Sequence, residues 1–305
     1  YDASSEALYE TFPCDHRMPQ IRAFLEDYDR VAHDLIGGAP SGDPELLRYG
    51  PGLSCTFRCP VDDGRAAYVK LINDDSPARL IEMNRLMVAQ LAGKAVSVAP
   101  VIGAALDHDA IAYAAAAGQP LDAALARTGD VTFVTRAIDM LRGFWSLTLR
   151  PTRRLTADVL RSRGAESVAL TRLTIPAAAP VVDRAMARLD ARTPHLDLRP
   201  IHGDMKLEHL FADGDKTTLI DTESVSLGPP DYDLAQLYGR IWQAELEGQL
   251  SRSLAEKASA AIRVEAGESF DWCLDVVALR LAKFYAQRPI VDASEKIGAI
   301  MERLS

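Results

Sequence analysis

The chain has 305 residues, 48% hydrophobic and 25% charged, which is enough for one large domain or for two lobes with separate cores. Its 34 basic and 43 acidic residues give a net charge of −9, which disfavours a nucleic-acid-binding protein because such proteins need a concentrated basic surface. No apolar run reaches the roughly 18–20 residues that span a bilayer, and the four cysteines lack a Cys-x-x-Cys spacing, so we expect a cytoplasmic protein that binds neither membrane nor nucleic acid.

The first part of the chain predicts a helical segment and then a β-rich region. Apolar residues at helical spacing from 19 to 35 predict a helix that ends at Gly37-Gly38, and we expect residues 1–44 to form a surface-associated extension. Ser76 and Pro77 are typical of a helix start, and Gly93 ends that helix. The expected β-rich elements are residues 46–59 with a break at Gly50-Pro51-Gly52, a hairpin turn at Asp62-Asp63-Gly64, residues 66–72, and the strand pair 100–105 and 110–115.

Small residues from 114 to 120 indicate a hinge between two lobes. We therefore expect an N-lobe at residues 45–117 and a mainly helical C-lobe at residues 118–305. The C-lobe helices are expected at 121–127, 131–149, 157–173, 181–191, 232–247, 251–266, 270–287 and 293–304. The sequence thus predicts an α+β fold with an antiparallel sheet plus helix in the N-lobe, and with a loop and hairpin interrupting the helices of the C-lobe.

That loop and hairpin, at residues 202–223, concentrate the chemistry of the chain. The loop reads His202-Gly203-Asp204-Met205-Lys206-Leu207-Glu208-His209. A Gly-Asp turn follows, and a short apolar strand then leads to Asp221 and Glu223. Asp204 can accept a proton from a hydroxyl, Lys206 can hold an anionic group, and Asp221 can hold Mg²⁺. A base followed by a metal-binding carboxylate indicates phosphoryl transfer.

This stretch resembles the aminoglycoside phosphotransferase family, small-molecule kinases of the protein-kinase-like superfamily. That family carries His-Gly-Asp, four residues and Asn, and then Ile-Asp-Trp/Phe-Asp/Glu. Protein kinases carry His-Arg-Asp-Leu-Lys-x-x-Asn and Asp-Phe-Gly. The chain has the small-molecule triplet and the protein-kinase-type Lys206, but His209 stands where Asn is expected. The resemblance covers roughly residues 45–245 and implies a two-lobed, protein-kinase-like fold that uses ATP and Mg²⁺, or Mn²⁺ in its place.

The resemblance implies ATP-binding residues in the N-lobe. Lys70 lies in an apolar strand and Glu82 in the following helix, and a Lys70–Glu82 pair would hold the ammonium toward the α- and β-phosphates. The turn with Gly52, Ser54 and Cys55 precedes Lys70 by one hairpin, so its backbone N–H groups are candidates for binding phosphate. Two glycines near a proline also describe an ordinary turn, and that alternative stays open.

At the hinge, two backbone groups are candidates for the adenine edge. They are the carbonyl of Ala114 and the N–H of Ala116, whose small side chains leave room for a flat base. An alanine-rich turn without a ligand explains the same residues equally well.

In the C-lobe, the resemblance assigns catalytic roles to Asp204 and Lys206. Asp204 would orient the acceptor hydroxyl and take its proton late, and Lys206 would neutralise charge on the γ-phosphoryl oxygens. Asp221 would be the Mg²⁺ carboxylate, with Glu223 reaching a second ion or stabilising the loop. For His209 three outcomes are open: it ligates the metal, Mn²⁺ is tolerated better than usual, or Asp221 holds one metal alone.

Two further residues are expected to support the loop. His202 is expected to act by hydrogen bonding rather than in the chemistry. Asp233 lies in Gly228-Pro229-Pro230-Asp231-Tyr232-Asp233, which is similar to the family's Gly-Asp-Pro-x-x-Asp, and is expected to cap a helix and brace the catalytic loop.

The acceptor is predicted only by class. The triplet His202-Gly203-Asp204 and the helical C-lobe favour a small-molecule hydroxyl, for instance on an antibiotic or another natural product, and the acidic balance of the chain suits a cationic one. Lys206 leaves open a Ser/Thr hydroxyl of a biosynthetic peptide. His209 and the thin glycine turn leave open a nucleotide-binding pseudokinase or scaffold.

Overall fold

The computed structural model describes residues 12–304 except residues 63, 74, 75 and 289. The described residues belong to two compact units. One falls within Tyr1–Gly93 and Ser97–Ala117, and the other within Lys94–Val96 and Gly118–Ser305. The first unit contains an antiparallel sheet and the second is mainly helical, so the predicted α+β class is confirmed.

The first unit is built on a five-stranded antiparallel sheet of order β1-β2-β3-β6-β5. The elements up to the end of this unit are α1 (Gln20–Glu26), α2 (Tyr28–Ile36), β1 (Glu45–Gly50), β2 (Ser54–Pro60), β3 (Ala66–Ile72), α3 (Pro77–Leu91), β4 (Val96–Val98), β5 (Val101–Ala105) and β6 (Ala110–Ala114). The predicted helix start at Pro77 is confirmed, since a ring-fixed φ suits a first helical position. The predicted turn at residues 62–64 includes Asp63, which lies outside the described residues.

The described part of the segment before β1, residues 12–44, contributes to a core, and the expectation that it is only surface-associated is wrong for these residues. The single helix expected at residues 19–35 is two helices that meet at Asp27. Phe24 and Leu35 are fully buried and belong to one apolar cluster with Phe57 and Val69 of the sheet. The apolar stripe of these helices therefore covers one face of the sheet instead of facing solvent.

A buried carboxylate joins this segment to the β1–β2 turn. Asp15 is only 3% exposed and accepts hydrogen bonds from the backbone N–H groups of Arg17 and Met18. It also accepts the Gly52 N–H at 2.6 Å and the Tyr49 hydroxyl at 2.8 Å. Burial raises the pKa of Asp15, but the four hydrogen bonds outweigh it and leave the pKa below its usual value.

The second unit combines helices with two small sheets. Its elements are β7 (Gln119–Pro120), α4 (Leu121–Thr128), α5 (Thr132–Trp145), α6 (Ala157–Thr174), α7 (Ala179–Ala191), β8 (Arg199–Ile201), β9 (Leu210–Asp213), β10 (Lys216–Leu219), β11 (Ser226–Gly228), α8 (Pro230–Leu246), α9 (Arg252–Val264), α10 (Phe270–Ala286) and α11 (Ala293–Glu302). Every helix predicted for the C-lobe is present. The β9–β10 hairpin closes at the expected Gly-Asp turn, whereas the β8–β11 pair was not predicted.

Helix α10 lies at the centre of this unit. It packs against α6, α7, α8 and α11, and large side chains such as Trp272 and Tyr285 are fully buried. Helix α8 carries buried polar side chains, among them Asp231, Asp233 and Gln236. In the described ranges, no helix has the length and apolar character that crossing a bilayer requires. The buried pair α8–α10 thus forms a rigid frame beside the 202–209 loop.

We expect Asp15→Asn to lower the free energy of unfolding by about 2 kcal/mol, because the amide keeps only one accepting oxygen and no charge for four donors. Folding lowers the pKa of Asp15. Its contribution to the free energy of unfolding is therefore fully present above the pKa of the unfolded chain, about 3.9, and is lost as the pH falls through the lower pKa of the folded state. Urea unfolding at pH 7 and in acid measures both effects. Asp34→Asn, on an exposed side chain of α2, is the control, and equal stabilities of the two variants would contradict the role of Asp15.

Candidate active site

The 202–209 loop begins where β8 ends, and strand pairing fixes its start. Ile201 pairs with Ser226 of β11, so the segments on either side of the site are held together. Gly203 then adopts φ +81°, and a Cβ there would lie 2.7 Å from the backbone oxygen of Ser224. Only glycine fits this turn, which explains the middle residue of the His-Gly-Asp triplet.

Asp233 of α8 holds the backbone of this turn. Its carboxylate accepts the N–H of His202 on one oxygen and the N–H of Gly203 on the other, both at 2.9 Å. The indole N–H of Trp145 donates to the same carboxylate at 3.2 Å. Asp233 is fully buried, and burial raises its pKa. This carboxylate braces the loop from within the core, as expected, whereas the expected helix cap is wrong because Asp233 lies inside α8, which starts at Pro230 without a side-chain cap.

Gln236 is a second brace that the sequence analysis missed. Its side-chain oxygen accepts the Met205 N–H at 3.0 Å, and its amide group donates to the Gly203 carbonyl at 3.1 Å. Gln236 follows Asp233 by three residues and therefore lies on the same face of α8. This three-residue spacing could have identified Gln236 from the sequence as a second side chain that faces the loop. Together the two side chains bind the backbone on both sides of Asp204.

His202 is fully buried, and its neighbours define its tautomer. The Asp204 N–H donates to Nδ1 at 3.4 Å, and Nε2 lies 3.3 Å from the Ile220 carbonyl oxygen. A backbone N–H can only donate and a carbonyl can only accept, so the ring carries its proton on Nε2. His202 thus links the loop to the strand that leads to Asp221.

Asp204 lies among cations. The Lys206 ammonium is 3.1 Å from the Asp204 carboxylate and 3.7 Å from that of Glu208. Burial raises the pKa of Asp204, but the positive charges nearby, above all that of Lys206 and also that of Arg280, outweigh it and leave the pKa below its usual value. Asp204 is therefore ionised at neutral pH and can accept a proton or a hydrogen bond.

Asp204, His209 and Asp221 form a group that can hold a metal ion. Their ligand atoms all lie within 4.8 Å of one another, and His209 Nε2 is 3.1 Å from Asp221 Oδ2. Asp221 has φ 64° and ψ 44°, a left-handed conformation that non-glycine residues rarely adopt and that is frequent at functional sites. Glu223, in the next turn, is outside this group, and its backbone carbonyl accepts a hydrogen bond from Arg153.

The donor set of this group fits a divalent cation. Ligand bonds of about 2.1 Å at right angles place neighbouring ligand atoms about 3 Å apart, close to the observed separation of His209 and Asp221. Burial lowers the pKa of His209 to about 3, although Asp221 opposes this, so the imidazole is neutral at pH 7. Its Nδ1 is buried without a hydrogen-bond partner among the described residues. A neutral imidazole and two carboxylates suit a divalent ion, with one nitrogen where Mg²⁺ prefers oxygen.

The expected Lys70–Glu82 pair is not formed. Lys70 lies in β3 with its ammonium 6.0 Å from the centre of the Tyr113 ring, whereas Glu82 is exposed on α3 and makes no ion pair with it. The buried face of α3 contains Leu80 and Asn84. Glu82 lies two residues from each, about 200° around the helix axis, and therefore points away from that face.

Asn84 occupies the inward position instead. Its amide group donates to the Ala99 carbonyl at 2.9 Å and its oxygen accepts the Val101 N–H at 2.8 Å. This buried side chain ties α3 to the start of β5. The helix was predicted correctly, and the structure places Asn84 on its buried face and Glu82 on its exposed face.

The turn predicted to bind phosphate is closed by the protein itself. The Gly52 N–H donates to Asp15, and the Leu53 N–H donates to the Gly50 carbonyl at 2.9 Å. Ser54 and Cys55 lie in β2, where they pair with strands on both sides, and Cys55 is fully buried. The N–H groups of Gly52 and Leu53 thus have partners within the protein, and the expected approach of residues 52–55 to a phosphate stays a prediction.

The hinge candidates Ala114 and Ala116 lie at the end of β6 and just beyond it. Ala114 ends β6, where its N–H donates to the Pro100 carbonyl at 2.9 Å, and Ala116 lies beyond the strand with a partly exposed side chain. Their predicted contact with an adenine edge stays a prediction.

A sequence model of the phosphotransferase enzyme family matches residues 48–268 of the chain. This match spans more than half of the sequence and includes the whole 202–223 segment. The chain therefore belongs to the phosphotransferase enzyme family, and the predicted family and enzyme class are confirmed. No curated protein matches the sequence significantly.

Solved structures share the fold at low sequence identity. A thermostable mutant of aminoglycoside phosphotransferase APH(4)-Ia in complex with AMP-PNP and hygromycin B superposes with a TM-score of 0.63 at 15% identity, covering 90% of this chain and 98% of that one. Amicoumacin kinase in complex with AMP-PNP, Ca²⁺ and its substrate gives 0.59 at 13%, covering 95% of each chain. A choline/ethanolamine kinase family protein from Mesorhizobium loti gives 0.60 at 16%, covering 94% and 93%. These similarities confirm the predicted protein-kinase-like fold.

We expect Asp233→Ala to lower the free energy of unfolding by about 3 kcal/mol or more, because it leaves two backbone N–H groups and an indole N–H unpaired in the core. Urea unfolding measures this loss, and amide hydrogen exchange at residues 202 and 203 should accelerate. Asp215→Ala, in the exposed β9–β10 turn, is the control and should change the stability by less than about 0.5 kcal/mol. Unchanged exchange at residues 202 and 203 would show that Asp233 does not hold the loop.

Proposed function

We propose that this chain is an ATP-dependent phosphotransferase that moves the γ-phosphoryl group to a hydroxyl of a small molecule. The observation that carries the proposal is the grouping of Asp204, His209 and Asp221 within 4.8 Å, with the Lys206 ammonium 3.1 Å from Asp204. A carboxylate base, a cation beside it and a metal-holding pair are the parts that phosphoryl transfer needs. Membership of the phosphotransferase enzyme family supports the same reaction class.

Each loop residue has a role in this proposal. The ionised Asp204 accepts a hydrogen bond from the acceptor hydroxyl, orients it and takes its proton late in the reaction. Lys206 stabilises negative charge on the transferred group. Because the transition state is loose, orientation matters more than basicity, and a carboxylate of lowered pKa suffices.

Asp221 and His209 would hold Mg²⁺ or Mn²⁺, with Asp204 at the edge of the group. Glu223 would bind a second ion or stabilise the loop. The ion, when bound, neutralises charge on the phosphate oxygens. The presence of AMP-PNP with Ca²⁺ in amicoumacin kinase, a protein of similar fold, supports a nucleotide and a divalent cation as the cofactors here.

For the nucleotide, Lys70 remains the candidate to hold the phosphates. The backbone groups of Ala114 and Ala116 remain candidates for the base. The acceptor is a small molecule in this proposal, since hygromycin B and amicoumacin are bound by proteins of similar fold. An antibiotic or another natural product is a more specific form of the same proposal.

We expect Asp204→Ala to reduce kcat by about 10²-fold or more while nucleotide binding is retained, because the variant loses the group that orients and deprotonates the hydroxyl. The measurement is ADP release from ATP with a library of hydroxyl compounds and with Mg²⁺ or Mn²⁺. Asp215→Ala, an exposed carboxylate of the neighbouring turn, should keep the parent rate.

Two results would contradict the proposal. Equal turnover by the parent and by Asp204→Ala would remove Asp204 from the chemistry. Nucleotide binding without turnover of any hydroxyl compound, with either metal, would instead favour the nucleotide-binding scaffold.

We expect His209→Asn to retain or raise activity with Mg²⁺ and to lower the ratio of Mn²⁺-supported to Mg²⁺-supported turnover, because the amide offers oxygen where imidazole offers nitrogen. Mn²⁺ binding to the protein without substrates, followed by electron paramagnetic resonance, should weaken in the same variant. His195→Asn, at an exposed position of the same unit, should leave both measurements unchanged. Complete loss of activity with both metals would count against ligation by His209.

A further inference from the structure

A cavity of about 330 Å³ opens beside Asp204 within the second unit. Side chains from α6, α8 and α10 line it, and Asp204 and Met205 of the loop form one end. Ligand pockets run from roughly 300 to 1,000 Å³, so this cavity suits a small compound. Because Asp204 is the proposed base, whatever fills the cavity lies next to the group that would activate a hydroxyl.

The charged lining of this cavity is predominantly basic. It contains Arg163, Arg240, Arg280 and Lys283, against Glu166 and Asp204 as the acidic residues. Lys283 is neutralised locally, since its ammonium donates to the Glu166 carboxylate. That pair leaves three guanidinium groups and the proposed base facing the cavity.

None of the three arginines forms an ion pair with a carboxylate among the residues that the structure describes. Arg280 donates instead to the hydroxyl of Tyr232, and Arg240 donates to the side-chain oxygen of Gln243. The Arg240 guanidinium also lies 5.9 Å from the centre of the Phe284 ring. Neutral partners fix the orientation of these two guanidinium groups, and once Glu166 is paired with Lys283, Asp204 is the one carboxylate of the lining that offsets the three arginines.

An excess of positive charge in a partly enclosed cavity is unfavourable, and an anion that binds there reduces this cost. A guanidinium binds carboxylate or phosphate oxygens through paired N–H donors, which is the strongest arrangement of this kind. Val277, Leu281 and Phe284 of α10 form an apolar part of the wall. The cavity therefore combines an anion-binding side, an apolar side and a base.

We propose, on the basis of the phosphotransferase function above, that the acceptor is a hydroxyl compound carrying a carboxylate or phosphate group, which Arg240 and Arg280 bind with help from Arg163. The acid group of this compound contacts the guanidinium groups, and the acceptor hydroxyl of the same compound reaches Asp204. The reaction then transfers the γ-phosphoryl group from ATP to the hydroxyl oxygen, the hydroxyl proton passes to Asp204, and ADP leaves.

This acceptor class reverses the expectation drawn from composition. The net charge of −9 suits a cationic substrate, yet it is a sum over the whole chain. The cavity beside the base has the opposite local charge, and binding depends on the local charge because interactions between exposed charges are screened beyond about 10 Å.

Calorimetry with four probes tests the anion site independently of turnover. Glycerate and glycerol 3-phosphate carry the two acid groups, glycerol is neutral and choline is cationic. We expect at least one anionic probe to bind more tightly than glycerol and choline. The tighter of the two anionic probes shows whether the site prefers a carboxylate or a phosphate. Arg240→Gln and Arg280→Gln should each raise that Kd about tenfold or more, the effect of losing a charge-assisted hydrogen bond.

Matched variants keep the test decisive. Arg280→Lys keeps the charge and should recover part of the affinity, and Arg163→Gln probes the same cavity from α6 if either central variant fails to fold. Arg252→Gln, an exposed arginine of α9, should bind the probes like the parent. Anion binding should also persist with saturating AMP-PNP. Its loss would assign the arginines to the nucleotide phosphates and overturn the acceptor site.

Turnover separates this inference from the function on which it rests. Phosphorylation of hydroxyl compounds that carry an acid group, with KM raised in the arginine variants, supports both. Anion binding without any phosphorylation would support the anion site in the cavity and contradict the proposed phosphotransferase function. Phosphorylation of neutral or cationic compounds, with both anionic probes binding no more tightly than glycerol and choline, would contradict the proposed acceptor class. The proposed phosphotransferase function would then be supported.

Discussion

The geometry of the candidate site depends on one buried carboxylate. Asp233 accepts two consecutive backbone N–H groups, one on each oxygen, and this fixes the planes of the peptides 201–202 and 202–203. The turn cannot rotate without leaving a charge and its donors unpaired in the core. Gln236, one helical turn further along α8, extends the bracing to residue 205. The position of Asp204 is therefore set by a buried helix rather than by the loop that carries it.

Features that depend on neighbouring residues were predictable from the sequence. The limits of α3 follow from Pro77 at its start and Gly93 after its end, and the β9–β10 hairpin follows from a Gly-Asp turn between apolar strands. The grouping of Asp204, Lys206, His209 and Asp221, to which we assign these roles by proposal, was also predictable, because the residues are close in the chain as well as in space. Local backbone preferences and short spacings carry this information without any tertiary contact.

Features that depend on distant residues were not predictable. Glu82 was placed in the right helix, but the buried face is chosen by packing, and Asn84 holds the inward position. The Gly52 N–H is bound by Asp15, 37 residues earlier, from a segment expected at the surface. The basic cavity gathers residues 163, 240 and 280 from three helices, and composition indicated the opposite charge. In each case long-range packing decided between options that the local sequence left equal.

The charges around Asp204 connect the proposed chemistry with the proposed acceptor. An ionised base and an anionic acceptor repel each other by about 4 kcal/mol at 4 Å separation and an effective dielectric of about 20, so a cavity that holds both needs cations. Arg240 and Arg280 provide them, since the charges of both act on Asp204. Neither guanidinium forms an ion pair with a carboxylate among the described residues, so both can contact an anionic acceptor beside the base. Their location thus favours an acceptor whose own charge completes the balance.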